Sequence, residues 1–104
     1  MAKTLFRTAL GDTPTIRILE VFLEGRHLDY SLTDISEQAQ VSWTTLHRVW
    51  PGLEKSRMVR QTRTIGRAKM FVLNEKNPAV QQLVLFFDTL LQESRKPVQM
   101  LKTR

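Results

Sequence analysis

The sequence predicts a mainly α domain carrying one small β-hairpin, an α+β fold, and three observations predict it. Two capped helical segments stand back to back between Ser31 and Lys55, separated only by Ala39-Gln40-Val41. Two runs rich in β-forming residues follow at once, joined at Ile65-Gly66. A last helical segment with a broad apolar arc opens at Asn77-Pro78. With 104 residues, 41% hydrophobic and 25% charged, the chain is sized for one small domain with its own core.

In chain order, residues 1–11 carry Leu5, Phe6, Ala9 and Leu10 at helix-compatible spacing, and both a short helix and an arm on a neighbour remain open. Residues 12–76 form the central domain. Asp12 or Thr13 caps its first helix, Pro14 sits in the first turn, Ile16, Leu19, Phe22 and Leu23 face inward, and Gly25 stops it. Arg26 to Tyr30 is a short bridge in which Leu28 and Tyr30 alternate around Asp29. Ser31 with Asp34 then reads as a capped helix start, and Ile35 and Ala39 supply its small apolar face. Ser42 caps the next helix, whose stripe of Leu46, Val49, Trp50 and Leu53 is set for burial. Met58–Thr64 and Arg67–Leu73 make the hairpin. Helix, tight turn, helix, hairpin is the order of a winged helix-turn-helix, in which the second helix enters a DNA major groove. Residues 77–96 add a C-terminal helix about 27 Å long at ~1.5 Å per residue. Val80, Leu83, Val84, Phe87, Leu90 and Leu91 cluster on one arc of it, with Phe86 beside them and Leu85 elsewhere. So wide an arc is expected to pair with a second copy, the plainer alternative being that it only covers its own core. Residues 97–104 read as a basic tail.

Charge is placed unevenly. Residues 1–40 carry four basic and six acidic groups, net −2, whereas residues 41–76 carry eight basic and two acidic, net +6. Polyanion binding accounts for that asymmetry better than solubility does. On the second helix Thr44, His47, Arg48 and Lys55 lie on or beside the face opposite the buried stripe. Arg and Lys there can donate to guanine edges or phosphates, and Thr can bond a base or touch a thymine methyl. Ser42, Trp43 and Thr45 belong to the same candidate set at the helix start, Trp43 either packing there or lying along the backbone. Arg63, Arg67 and Lys69 flank the hairpin tip, where phosphate or minor-groove contact is available. The plainer readings are a solvated helix face and a hairpin kept soluble by edge charge. The preceding capped helix and the following basic hairpin weigh against the first, and seven basic residues from Arg48 to Lys69 against a surface meant for protein partners alone.

Several function classes find no support. There are no cysteines, so neither a disulfide nor a thiolate metal site can form. His27 and His47 stand apart with no acid cluster around either, so no metal or cofactor is expected. No phosphate-binding glycine loop, H-E-x-x-H motif or nucleophile–base–orienter set occurs, and an enzyme is the least expected outcome. Phe22, Trp50 and Phe71 are expected in the core. The longest apolar run, Leu83 to Phe87, is far short of a membrane span, and no signal-like stretch opens the chain, so a cytoplasmic protein is expected.

Val41-Ser42-x-x-Thr45-Leu46-x-Arg48, followed by Leu53-Glu54-x-Ser56-x-Met58-Val59, resembles the recognition helix of small winged-helix transcription regulators. These are the families around the arsenical-resistance and multiple-antibiotic-resistance repressors. Thr62-Arg63-Thr64-Ile65-Gly66-Arg67-Ala68-Lys69 and Leu10-Gly11-Asp12-Thr13-Pro14 are similar to archaeal-type members. The resemblance covers Leu10 to Leu73 and implies a small third strand at Arg26–Tyr30. Two departures stand out. Such proteins usually have glycine where this chain has Arg57, because the backbone there tends to be left-handed. Pro51 lies within the recognition helix, where losing the bond to His47 is expected to kink or break its second half.

The sequence thus points to a homodimeric, sequence-specific double-stranded DNA-binding transcription regulator, associated with nucleoid or plasmid. The recognition helix would lie in the major groove and the basic wing on the flanking backbone. One alternative is an architectural or plasmid-partition protein that coats DNA with little sequence preference. Another is a protein-interaction module built on the same scaffold.

Overall fold

The computed structural model describes residues 3–95. Its elements are α1 (Leu5–Leu10), α2 (Pro14–Glu24), α3 (Leu32–Ala39), α4 (Trp43–Lys55), β1 (Val59–Ile65), β2 (Ala68–Leu73) and α5 (Pro78–Ser94). Each helix starts on a side chain that accepts from an otherwise unpaired backbone N–H: Thr4, Thr13, Ser31, Ser42 and Asn77. At Ser31 the exchange is reciprocal. Ser31 Oγ accepts from Asp34 N at 3.1 Å, and Asp34 Oδ2 accepts from Ser31 N at 3.0 Å. These caps are why the expected boundaries fall close to the observed ones.

The core forms where α2, α3 and α4 meet the hairpin. Ile18, Phe22, Ile35, Ala39 and Leu46 are fully buried there. An aromatic series crosses it: Tyr30 edge-on to Phe22, Phe22 beside Trp50, and Trp50 edge-on to Phe71 at 5.0 Å between centroids. Phe22, Trp50 and Phe71 are therefore core residues, as expected. The inward face of α2 is wider than its sequence stripe, since Ile18 and Val21 are buried and Ile16 is only partly so.

Within the first eleven residues, Leu5–Leu10 is a helix packed on the chain's own core. Phe6 of α1 is buried edge-on against Phe87 of α5 at 5.4 Å. Buried Glu20 accepts from Arg7 Nε at 2.8 Å, so the acid enters the interior paired. Arg26, just past α2, reaches α5 through two hydrogen bonds to Asp88, of 2.8 and 3.1 Å.

β1 and β2 are antiparallel, with Ile65 paired to Ala68, so the two-residue turn is Gly66-Arg67 rather than Ile65-Gly66. Gly66 takes φ 61°, which a first turn position of this kind asks of glycine. Beside the hairpin, Tyr30 and Phe71 exchange both backbone hydrogen bonds, at 2.7 and 2.8 Å, and the expected third strand is this single bridge. Gly25 lets the bridge close, because a β-carbon there would run into the Tyr30 hydroxyl.

Two expectations are corrected. α4 runs unbroken through Pro51 to Lys55. Pro51 is exposed, so the His47 carbonyl that loses its partner lies on the solvent side of the helix. The α5 arc also divides. Val80 and Phe87 are buried in the chain's own core, and Leu83, Val84 and Leu90 pack partly buried against it. Of the six arc residues only Leu91 is exposed, and Leu85 and Phe86, outside the arc, are exposed with it. The expected tail, residues 97–104, lies outside the described residues.

Candidate nucleic-acid interface

α4 is held at both ends by the same device. Before it, Gln40 turns left-handed (φ 56°), Val41 N donates to Ser36 O, and Gln40 N donates to Glu37 O. After it, Arg57 turns left-handed (φ 61°), Met58 N donates to Leu53 O, and Arg57 N donates to Glu54 O. Both are Schellman turns, which satisfy the last carbonyls of a helix and redirect the chain sharply. Arg57 does occupy the position where glycine is usual, and it stays helix-ending rather than reshaping the end. Its carbonyl accepts from Asn74 Nδ2 and Asn77 Nδ2, each at 3.0 Å. The turn before α4 is tied down from α2. Arg17 Nη1 donates to Gln40 O at 3.1 Å while Arg17 Nε donates to Asp12 at 2.7 Å. That bond to Arg17 lowers the Asp12 pKa below the ordinary carboxylate value.

With Leu46, Trp50 and Leu53 buried, the outer face of α4 follows from helical geometry. At ~100° per residue, Thr44, Arg48 and Lys55 fall within about 40° of one another on the side away from the core. All three are exposed, as are Ser42, Trp43 and His47. Ser42 Oγ accepts from Thr45 N at 3.2 Å and donates to Thr45 Oγ1 at 3.0 Å, so Ser42 and Thr45 are occupied as a cap. Trp43, half exposed, stands edge-on to His47 with centroids 4.5 Å apart. These two rings form the edge of α4 that faces the hairpin.

Between that edge and β2 lies a cleft of about 620 Å³ lined by Trp43, His47, Trp50, Pro51, Glu54, Arg67, Lys69 and Phe71, with Ser31, Leu32, Thr33 and Ala68 closing it. It joins the candidate helix and hairpin residues into one surface. Among the described residues, Arg48, Lys55, Arg60, Arg67 and Lys69 make no ion pair, whereas Arg7, Arg17 and Arg26 are all paired. The arginines near the start of the chain hold the frame together; of the described cations without an ion pair, Lys3, Lys76 and Arg95 lie elsewhere, and the other six, Arg57 included, lie from α4 to the hairpin. Arg60, exposed on β1, belongs with them. The sequence does not single it out, and the structure shows that β1 is exposed at every position after Val59. Arg63 is the exception on the hairpin. It donates to both Asp29 oxygens, from Nε at 2.9 Å and Nη2 at 3.2 Å.

The arrangement of α3, turn, α4 and hairpin can be set against solved structures. The chain is similar to the crystal structure of an ArsR family transcriptional regulator, with a TM-score of 0.51 over 92% of this chain and 100% of that one. The fold is a winged helix-turn-helix. At 18% identity the likeness is one of fold. No protein-family model and no curated protein matches the sequence. Within the winged-helix frame α4 stands in the place of the second helix of the helix-turn-helix, and the β1–β2 hairpin in the place of the wing. Among the described residues no group of three or more His, Cys, Asp or Glu side chains could hold a metal ion. Nor is any described helix long and apolar enough to cross a membrane.

Proposed function

We propose that this winged-helix protein binds double-stranded DNA in a sequence-specific manner and regulates transcription. One observation carries the reading: of the nine described lysines and arginines without an ion pair, six lie on α4, the turn after it and the hairpin. Thr44, His47 and Arg48 would meet base edges in the major groove, and Lys55, Arg67 and Lys69 the flanking phosphates. The winged-helix protein of similar fold is itself a transcriptional regulator, which supports the reading. The protein is read as a homodimer. Leu85, Phe86 and Leu91 on α5 are 60%, 40% and 37% exposed, and Leu5 of α1 is 39% exposed, a set that a partner copy would cover. Two copies would place their recognition helices on half-sites ~34 Å apart. A binding role rather than an enzymatic one, carried out on nucleoid or plasmid DNA in the cytoplasm, completes the proposal.

The deciding experiment is binding-site selection from random duplexes at near-physiological salt. A sharp palindromic motif is the expected result. A flat profile with binding that spreads along the duplex would favour a DNA-coating protein, since cations on phosphates bind without reading sequence. No binding even at low salt would leave a protein-interaction module as the better account.

A further inference from the structure

Arg63 has the charge and the place for a wing phosphate contact, yet it is engaged elsewhere. The cause is a β-bulge. Gln61 pairs with Phe71 and Arg63 with Met70, so Thr62 is the extra residue of β1. In a regular strand Thr62 and Arg63 would point to opposite faces. The bulge lets both reach one carboxylate. Thr62 Oγ1 donates to Asp29 Oδ2 at 2.8 Å, Arg63 Nε donates to the same oxygen at 2.9 Å, and Arg63 Nη2 donates to Oδ1 at 3.2 Å. Asp29 is itself anchored, because the next residue, Tyr30, exchanges both backbone hydrogen bonds with Phe71.

We propose that Asp29 is a restraining residue of the DNA interface: it ties the wing to the α2–α3 loop and withholds Arg63 from the phosphate backbone, limiting sequence-independent affinity. The proposal rests on the DNA-binding reading above. A phosphate that recruits Arg63 must displace two charge-assisted hydrogen bonds in a fork geometry. Arg67 and Lys69 have no such bonds to give up, so they meet phosphate first. Their share of the binding is then sequence-independent by design of the wing, while discrimination stays with α4.

The salt dependence of binding to a short mixed-sequence duplex tests this. Each phosphate contact contributes about 0.9 to the slope of log K against log salt. Arg63→Gln should leave the slope at the wild-type value, whereas Arg67→Gln should make it shallower by about 0.9. Asp29→Asn should steepen it by about 0.9, as Arg63 is released, and the double variant Asp29→Asn/Arg63→Gln should return to the wild-type slope. Asparagine can still accept from the Thr62 hydroxyl, so the wing keeps one tie. Should Asp29→Asn nonetheless lose its circular dichroism signal, the comparison of Arg63→Gln with Arg67→Gln decides alone. A shallower slope in Arg63→Gln would overturn the proposal, because Arg63 would then already touch phosphate. An unchanged slope in Asp29→Asn, or a steepening that persists in the double variant, would overturn it too. A wild type that binds no duplex at low salt removes the DNA-binding reading and this proposal together. Binding with a contrary Arg63→Gln result removes this proposal only.

Discussion

Arg57 carries a side chain through backbone that favours glycine (φ 61°), and the two asparagine bonds to its carbonyl keep it there. Arg57→Gly should therefore raise stability by up to about 1 kcal/mol, read as a higher urea midpoint, because glycine reaches that conformation without a β-carbon clash. A lower midpoint would show that the arginine side chain supplies more than the backbone loses. On the recognition helix, Arg48→Ala should cost roughly 1–3 kcal/mol on the selected site and relax preference at one base position. Arg67→Ala should instead weaken all sequences alike. Unchanged affinity and preference in Arg48→Ala would mean that the groove face of α4 has been misassigned.

At the level of elements, α4 keeps its helix through Pro51 because both ends are fixed and its inner face is buried. Tertiary packing outweighs the local penalty of about 3 kcal/mol for an interior proline. The penalty is then still present in the folded state. Pro51→Ala should return a hydrogen bond to the His47 carbonyl and raise the unfolding free energy by about 1–3 kcal/mol, measured by chemical denaturation. No gain would mean that the helix already relaxes the proline clash, or that proline's restraint on the unfolded chain offsets it.

For the whole molecule, three carboxylates paired with arginines, two of them (Asp29 and Asp88) across distant parts of the chain, titrate below their ordinary value of 3.8. Hydrogen bonds from Arg17, Arg63 and Arg26 are the first cause at Asp12, Asp29 and Asp88 respectively. A carboxylate with a depressed folded pKa contributes stability that is present above the unfolded value and lost as pH falls through the folded one. Stability should thus hold at neutral pH and decline progressively below about pH 4, as the unfolded chain takes up protons before the ties themselves are protonated at lower pH. A melting temperature flat down to pH 2 would show that the three ties are energetically idle. The proposed dimer is tested at the same scale. Leu85→Glu/Phe86→Glu should halve the sedimenting mass while keeping helical content, since both residues are exposed. Phe87→Glu should unfold the chain instead, because Phe87 is buried against Phe6. A wild type already monomeric at tens of micromolar would remove the dimer.

The local order was legible because it is written in local chemistry. Ser31, Ser42 and Asn77 announce helix starts by the hydrogen bonds their side chains offer, and Gly66 marks the hairpin by the backbone angle it permits. The concentration of cations between Arg48 and Lys69 was equally plain, since charge is a property of composition. Which cations are free was not. Arg63 and Arg67 read alike in sequence, and only a bulge at Thr62 and an acid thirty-four positions back set them apart. The division of the α5 arc was hidden for the same reason. Periodicity reports that Val80, Phe87 and Leu91 share a side of a helix. Whether α1 folds back to cover Phe87 and leaves Leu91 bare is decided by contacts between distant segments, and those exist only once the chain has folded.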